Sequence, residues 1–434
     1  MNMESLWTKT ENLPEFPTFR GVGKTDVLII GGGMAGLLCA WEMQRRGIDC
    51  MLLEADRICS GVTAGTTAKL TSQHGLHYQK IASRFGLEKA AMYYQANEEA
   101  LERFRALCRD GDCDFQASDA CVYSRTDLLG LEKELRTLQR IGAAADFISR
   151  PDLPFETVGA VRFVNQAHFH PLKFVRKISQ GLNIYEHSRV TGFDGSIWHT
   201  DRGTVRAENV IVATHFPFLN KHGGYFLKQY QHRSYVLALQ DAGKVDAMYV
   251  SDSMTGLSFR NYGDLLLLGG GSHRTGKQGG GWTELERFAR NYYPEAKIRH
   301  YWAAQDCITL DDLPYIGRYG KRTERLFVAT GFNKWGMSGS MVASQILADM
   351  VMEKKNPYED LYAPGRTVLH PALVSNSLHA LWNILTPTRP RCPHLGCALK
   401  WNYQEHSWDC PCHGSRFSEE GKLLDNPATG DLKQ

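Results

Sequence analysis

Four residues near the end of the chain have the types and spacing of a metal centre. Cys392 and His394 form C-x-H, Cys410 and His413 form C-x-x-H, and residues 395–409 separate the two pairs. Two thiolates and two imidazoles suit either a tetrahedral zinc or a mixed-ligand [2Fe-2S] centre. A second constellation lies near the start, where Asp26 to Glu54 reads DVLIIGGGMAGLLCAWEMQRRGIDCMLLE. An apolar run of strand length leads into Gly31, Gly33 and Gly36 at the spacing G-x-G-x-x-G, and Met34 and Ala35 open the helix that follows. The chemistry of that pattern is the binding of a dinucleotide. The first glycine permits a tight turn, the second lets the backbone approach a pyrophosphate, and the third lets helix and strand pack closely. The helix amino end offers free N–H groups to the phosphates, and Glu54, ending the second strand, accepts hydrogen bonds from a ribose.

The elements that must position these residues follow from periodicity and turn chemistry. Met34 to Arg46 reads as a helix stopped by Gly47, and Asp49 to Leu53 as the second strand of a βαβ unit. The stretch ADRICSGVTAGTTAKLTSQHG has too few apolar residues for a regular element and reads as a loop running along the cofactor. Leu87 to Cys108 and Leu129 to Ile141 have helical periodicity, Pro171 to Gly181 reads as a helix and Leu182 to Tyr185 as a strand. Thr204 to Thr214 reads as a strand pair ending in VIVAT, which places Ala213 and Thr214 at a strand end. Between Tyr235 and Gly271, alternating and apolar runs separated by turn residues predict an antiparallel sheet. Gly269 to Gly281 is glycine-rich but has Arg274 where a third glycine is needed, so it reads as a loop and no second dinucleotide site is expected.

Leu326 to Met352 supplies a strand, LFVAT, the glycine-lined turn GFNKWGMSGS, and a helix from Ser340 to Met352. A helix start of this kind points its positive end at an electron-rich ring. Prolines punctuate a linker after Lys355, with one helix, Ala372 to Leu385, carrying Val374, Leu378, Leu381, Trp382 and Leu385 on one face. The fold class expected is an α/β dinucleotide-binding Rossmann-like domain with an interleaved α+β antiparallel-sheet substrate domain, plus a small C-terminal β module. The division is residues 1–25 as an extension; 26–100, 151–220 and 300–355 as the cofactor domain; 101–150 and 221–299 as the substrate domain; 356–390 as linker; and 391–434 as the metal module.

Composition narrows the function classes. With 434 residues, 43% hydrophobic and 22% charged, and a net charge of +3, the chain has no basic field of the kind nucleic acid attracts. No apolar run approaches the roughly 20 residues of a membrane helix, and the start lacks a signal-peptide core, so a cytoplasmic location is expected. Seven cysteines (Cys39, Cys50, Cys59, Cys108, Cys113, Cys121 and Cys307) are scattered through periodic segments, as buried thiols are.

The two terminal loops, CPHLGC and CPCHGSRF, closely resemble the Rieske family. The resemblance implies that Cys392 and Cys410 bind one iron and His394 and His413 the other, that Cys397 and Cys412 form a cluster-shielding disulfide, and that the Ser415 hydroxyl bonds a cluster sulfide. Phe417 stands where high-potential members place a tyrosine, which lowers the expected potential within the Rieske range. The module also lacks most of the strands that normally precede the first loop, so it must lean on the rest of the chain. The first 350 or so residues resemble the D-amino-acid oxidase superfamily, which binds FAD and includes glycine and sarcosine oxidases. That resemblance implies cofactor contacts from Gly31, Gly33, Gly36 and Glu54, from the loop Gly61 to Lys69 with Thr66, Thr67 and Ala68, from Val190 near the adenine, and from Gly331 to Ser338 at the flavin ring, with Trp335, Gly336 and Met337. Sarcosine oxidases carry an FAD-linking cysteine shortly before a DDLPYIG-like segment; here Ala304 falls near that position and Cys307 a few residues on, which argues against a covalent link. The fusion as a whole, and GVTAGTTAKLTSQHG in particular, resembles a group of bacterial fusion proteins.

Electron counting gives the combination its logic: a flavin accepts two electrons and a [2Fe-2S] centre carries one. The expected function is an FAD-dependent dehydrogenase that oxidises an amine or amino-acid-like substrate and passes electrons singly through the cluster to an external one-electron carrier. Two alternatives are a flavin reductase fed through the cluster and a redox sensor or electron-transfer protein without turnover; an NAD(P)H-driven reductase is weakened by the missing second motif. Candidates beside the flavin are His74, Lys69, Lys334 and Trp335, with Arg233, Arg260 or Arg274 available to a substrate carboxylate; His74, Lys334 and Arg260 form the expected catalytic set. The sequence leaves open whether the chain works alone or as a homo-oligomer.

Overall fold

In the computed structural model, which describes residues 4–219, 223–366 and 371–432, the apolar run before the glycines is the strand Gly21–Ile30. It starts five residues ahead of Asp26 because Gly21 to Thr25 pair with Gly203 to Ala207, a long-range partnership that no local pattern reveals. Cys50–Leu53 pairs with it in parallel on one side and Gly203–Val212 on the other, and Leu326–Thr330 and Ile184–Tyr185 add further parallel strands. The ends of the two longest strands, Val27 to Ile30 and Val210 to Val212, are apolar without alternation because helices cover the sheet there. Helices Met34–Arg45 and Gly336–Val351 pack against each other there. VIVAT belongs to one strand rather than a pair; the hairpin partner of Gly203–Val212 is the upstream strand Ile197–Thr200.

The second sheet runs, edge to edge, through Lys297–Thr309, Gln229–Gln240, Leu265–Arg274, Ser258–Tyr262, Met248–Ser251, Ala120–Ser124, Gly159–Phe163 and Ala145–Ile148. All its pairings are antiparallel except Met248–Ser251 with Ala120–Ser124. Two of its strands, Gly159–Phe163 and Lys297–Thr309, lie in stretches that the sequence assigns to the cofactor domain. The latter is drawn in by pairing with Gln229–Gln240 along its whole length. Residues 269–274, expected as loop, continue the strand Leu265–Arg274. Their glycines answer close approaches: a Cβ on Gly271, whose φ is +59°, would lie 2.2 Å from the Gly281 carbonyl oxygen.

The N-terminal stretch is more than a polar lead-in. It contains the short helix Leu6–Thr10, with Leu6 and Trp7 in the core. Helix Pro371–Leu385 forms as predicted, but its apolar stripe faces outward, from Leu381 at 52% exposed to Trp382 at 74%. The helix seats instead through Leu373, Ala380 and Asn383. Among the described residues no helix is long and apolar enough to cross a membrane.

The terminal module is the four-stranded antiparallel sheet Lys400–Asn402, Ser407–Asp409, Arg416–Ser418 and Leu423–Asp425. Its own apolar core is a handful of residues around Cys392, Cys410, Leu399 and Phe417. A core that small gives little stability alone. A buried ion network joins it to the large sheet: Arg233 meets Glu405 through two hydrogen bonds, Arg416 bonds Glu405, Asp409 and Asp425, and the Tyr235 hydroxyl donates to Glu405 at 2.9 Å.

Candidate functional site

The glycine motif builds its cradle as its spacing predicts. Gly31 has φ +108°, and a Cβ there would stand 2.6 Å from the Ala213 carbonyl oxygen; a Cβ on Gly36 would stand 1.9 Å from that of Gly31. Gly33 caps the helix Met34–Arg45 with no side-chain bond, and a Cβ on it would meet only Thr63 Oγ1, at 3.6 Å, so the space before the helix is open. Glu54 Oε2 accepts the Gly32 N–H at 2.6 Å and Oε1 the Asp56 N–H at 2.9 Å, which fixes the carboxylate at the rim. Thr63, not singled out in the sequence, accepts the Met34 N–H at 3.0 Å.

The loop after the second strand is held by two indoles. Trp7 Nε1 donates to the Thr66 carbonyl at 2.7 Å and Trp302 Nε1 to that of Gly65 at 2.9 Å. Across from it, Asn333 and Lys334 take left-handed φ values of 53° and 72° and lead directly into helix Gly336–Val351. This helix begins four residues before Ser340, so its amino end falls on Gly336 and Met337 themselves.

These elements enclose a cavity of about 860 Å³. From the first motif, Gly31, Gly33, Met34, Ala35 and Glu54 line it; from the loop, Thr66, Thr67, Lys69 and His74. Val190, Ala213 and Thr214 line another part, and Lys334, Trp335, Gly336 and Met337 a fourth. Gly36, Ala68, Gly331, Ser338 and Arg260 are not on its surface. Gly36 serves helix-to-strand packing, and Gly331, at φ +72°, serves a turn where a Cβ would strike Thr309. Sequence reasoning missed Asp306 and His215, which also line the cavity, and the segment Leu423 to Asn426 with Ala428 and Thr429, which comes from the terminal module. Only the tertiary fold brings those together.

The candidate catalytic residues differ in their surroundings. His74 Nε2 lies 2.8 Å from the Thr71 carbonyl, which can only accept, so that nitrogen carries the proton and Nδ1 accepts from the Tyr93 hydroxyl at 2.6 Å. Burial, with His77 nearby, pushes its pKa down to about 3. A neutral ring with both nitrogens engaged is a support rather than a base, and it stacks on Trp335 at 4.7 Å. Lys334 Nζ donates to the Met254 carbonyl at 3.1 Å; burial lowers its pKa to about 8 against the opposing pull of Asp306. Burial and the Arg260 charge lower Lys69 to about 7. Arg260 is fully buried behind the cavity wall, its guanidinium over Trp7 and Tyr262 with no hydrogen-bond partner. Arg233 and Arg274 are not available to a substrate: the first is bound by Glu405, and the second donates to the Cys412 carbonyl at 2.9 Å and lies over Tyr230.

In the module, the Cys392 and Cys410 thiols hydrogen-bond each other, and the His394 and His413 rings sit 5.0 Å apart. Among the described residues His413 Nδ1 is buried with no hydrogen-bond partner, the state of a donor kept for a metal, and burial holds that ring neutral with a pKa of about 3. Cys397 and Cys412 are joined in a disulfide, and Cys410 Sγ lies within 4.8 Å of both sulfurs. The Ser415 carbonyl accepts the Cys410 N–H at 2.8 Å. The two sulfur donors and the two nitrogen donors therefore form separate pairs, which fits two irons better than one ion.

Comparison with known proteins agrees on both halves. The FAD dependent oxidoreductase family (DAO) matches residues 26–350 and the Rieske [2Fe-2S] domain matches residues 377–434. YhfW of Bacillus subtilis, named as a Rieske 2Fe-2S iron-sulfur protein, is 31% identical over 99% of this chain and 97% of its own length. Gamma-glutamylputrescine oxidoreductase of Escherichia coli is 27% identical over 43% of this chain and 48% of its own. Glycine oxidase from Geobacillus kaustophilus superposes with a TM-score of 0.66 at 20% identity, over 80% of this chain and 100% of its own. L-proline dehydrogenase from P. horikoshii does so with a TM-score of 0.66 at 16% identity, over 79% and 97%. The open glycine cradle and the paired Cys and His donors fit the two cofactors of these families, and the chain thus belongs to the FAD dependent oxidoreductase family and carries a C-terminal Rieske [2Fe-2S] domain.

Proposed function

We propose that this chain is a dehydrogenase that oxidises an amine or amino-acid-like substrate and passes the electrons one at a time, through its Rieske centre, to an external one-electron carrier. The observation that carries the reading is the shared cavity: Gly31 and Trp335 from the large domain and Ala428 from the module line the same space. Bound FAD supplies two-electron acceptance and the [2Fe-2S] centre one-electron exchange. Gly31 to Ala35, Glu54 and the Thr66 to Lys69 loop hold the dinucleotide, and Cys392, Cys410, His394 and His413 hold the cluster.

Within that space Lys334 and Lys69 stand near neutrality, so either amine accepts a proton at ordinary pH. Lys69 reaches only Thr67 and Ser258 hydroxyls, at 3.4 and 3.5 Å, and Arg260 stands behind it. Two buried cations without a carboxylate are costly unless an incoming anion balances them, which favours a substrate bearing a carboxylate. His74 keeps Trp335 in place. The relatives above, named for oxidising glutamylputrescine, glycine and proline, point the same way.

The test is anaerobic mixing of the holoprotein with a panel of amines and amino acids, with NADH as control, followed by flavin absorbance and then cluster EPR. Bleaching by one amine or amino acid, followed by the signal of the reduced cluster, supports the proposal. Bleaching by NADH alone overturns it.

A further inference from the structure

The segment that follows the last strand of the module touches both cofactor sites at once. Toward the cluster, the Ala428 N–H donates to Ser415 Oγ at 3.0 Å, and the Ser415 carbonyl accepts the N–H of Cys410 at 2.8 Å. Toward the cavity, Asn426 Nδ2 donates to the Thr214 carbonyl at 2.6 Å and to that of Phe216 at 3.1 Å, just beyond the end of the strand Gly203–Val212. Gln231, from the strand Gln229–Gln240 of the large sheet, ties the two sides together: its Nε2 donates to the Asn426 carbonyl at 2.6 Å and to the His413 carbonyl at 2.9 Å. Asp425, beside Asn426, is bound to Arg416 and so to the buried ion network. Leu424, Asn426 and Ala428 all face the cavity.

We infer that this segment of the Rieske module is part of the FAD-binding site, and that through Asn426 the occupancy of the cluster site and of the flavin site are coupled. The cluster holds the loop containing Ser415; that loop holds Ala428; and Asn426 places the same short segment against the cavity wall at Thr214. Loss of the cluster frees one side of the segment and so loosens the wall that the cofactor meets. Coupling of this kind is reciprocal, so flavin occupancy must alter the cluster site by the same factor. The inference rests on the presence of both cofactors and not on the substrate or the direction of electron flow.

The experiment compares the full-length protein with and without its cluster, iron being removed by a chelator under reduction, and reads the FAD dissociation constant from the fluorescence of released flavin. Removal of the cluster is expected to weaken FAD binding at least about tenfold in the native chain. In Asn426→Ala, FAD binding is expected to be weak already, and removal of the cluster to change it by less than about twofold. As the reciprocal readout, the EPR line shape of the reduced cluster shifts between FAD-loaded and FAD-free native protein. Equal dissociation constants with and without the cluster, or an Asn426→Ala protein with the coupling intact, overturn the inference. If that variant fails to fold, the native comparison and the EPR spectra decide alone. No substrate enters these measurements, so failure here is distinct from failure of the amine screen.

Discussion

The cradle at Gly31 to Gly36 and the seam between the large sheet and the terminal module hold their partners by opposite means. The cradle works through backbone: three glycines clear space, a helix start faces that space, and few side chains take part. The seam works through buried side chains, with Arg233, Glu405, Arg416, Asp409 and Asp425 in one network and Gln231 and Asn426 in another. A backbone device is indifferent to its neighbours' identities and intolerant of any added atom. A side-chain device fails when one partner is lost, because the remaining charge stays buried.

Gly36→Val breaks the cradle most severely. A Cβ already meets the Gly31 carbonyl oxygen at 1.9 Å, so the helix must move away from the strand; the purified variant is expected to contain essentially no FAD, as measured by its visible absorbance. On the seam, Arg233→Met leaves Glu405 with one cation fewer in a buried site. We expect a loss of about 3–5 kcal/mol in unfolding free energy by denaturant titration, well above the near-zero effect of removing an exposed pair such as Arg136 with Glu132.

Acid sharpens the same contrast. Burial raises the Glu405 pKa, but Arg233 and Arg416 outweigh it and hold the group at about 2. A carboxylate depressed from an unfolded value of roughly 4.3 stabilises the fold fully above that value and loses its contribution as the pH falls toward 2. Thermal stability should therefore drop over that interval, and drop less in Arg233→Met. In the cavity, the neutral form of Lys334 grows as pH rises through about 8. The rate of flavin reduction by substrate should show a limb there, and Lys334→Met should lack it. The smallest effect is expected inside the module, where Phe417 is fully buried and offers no hydroxyl. Phe417→Tyr should raise the cluster midpoint potential in an EPR-monitored titration.

The same division explains what was legible in the sequence. Gly31, Gly33, Gly36 and the Cys and His loops were readable because their function lies in spacing along the chain. Local periodicity also gave the helices Leu87–Leu107 and Leu128–Arg140 within a residue. Arg233 and Arg274 looked like substrate anchors because a strand arginine carries no mark of what it faces; their partners, Glu405 and the Cys412 carbonyl, lie more than a hundred residues away. Asp306, His215 and Asn426 carried no signal for the same reason. The start of helix Gly336–Val351 was placed late because its first turn is glycine and serine, poor helix formers that only the surrounding fold holds in shape. The residues Val374, Leu378, Leu381, Trp382 and Leu385 share the face of Pro371–Leu385 that their spacing predicts, and that face is exposed, since periodicity gives a face but not what it meets.

Clasped by buried ions along one flank and anchored by Asn426 on the other, the module is fastened to the large sheet on two sides. On the proposed function, a one-electron carrier would meet its cluster at a terminal that the large sheet holds in place.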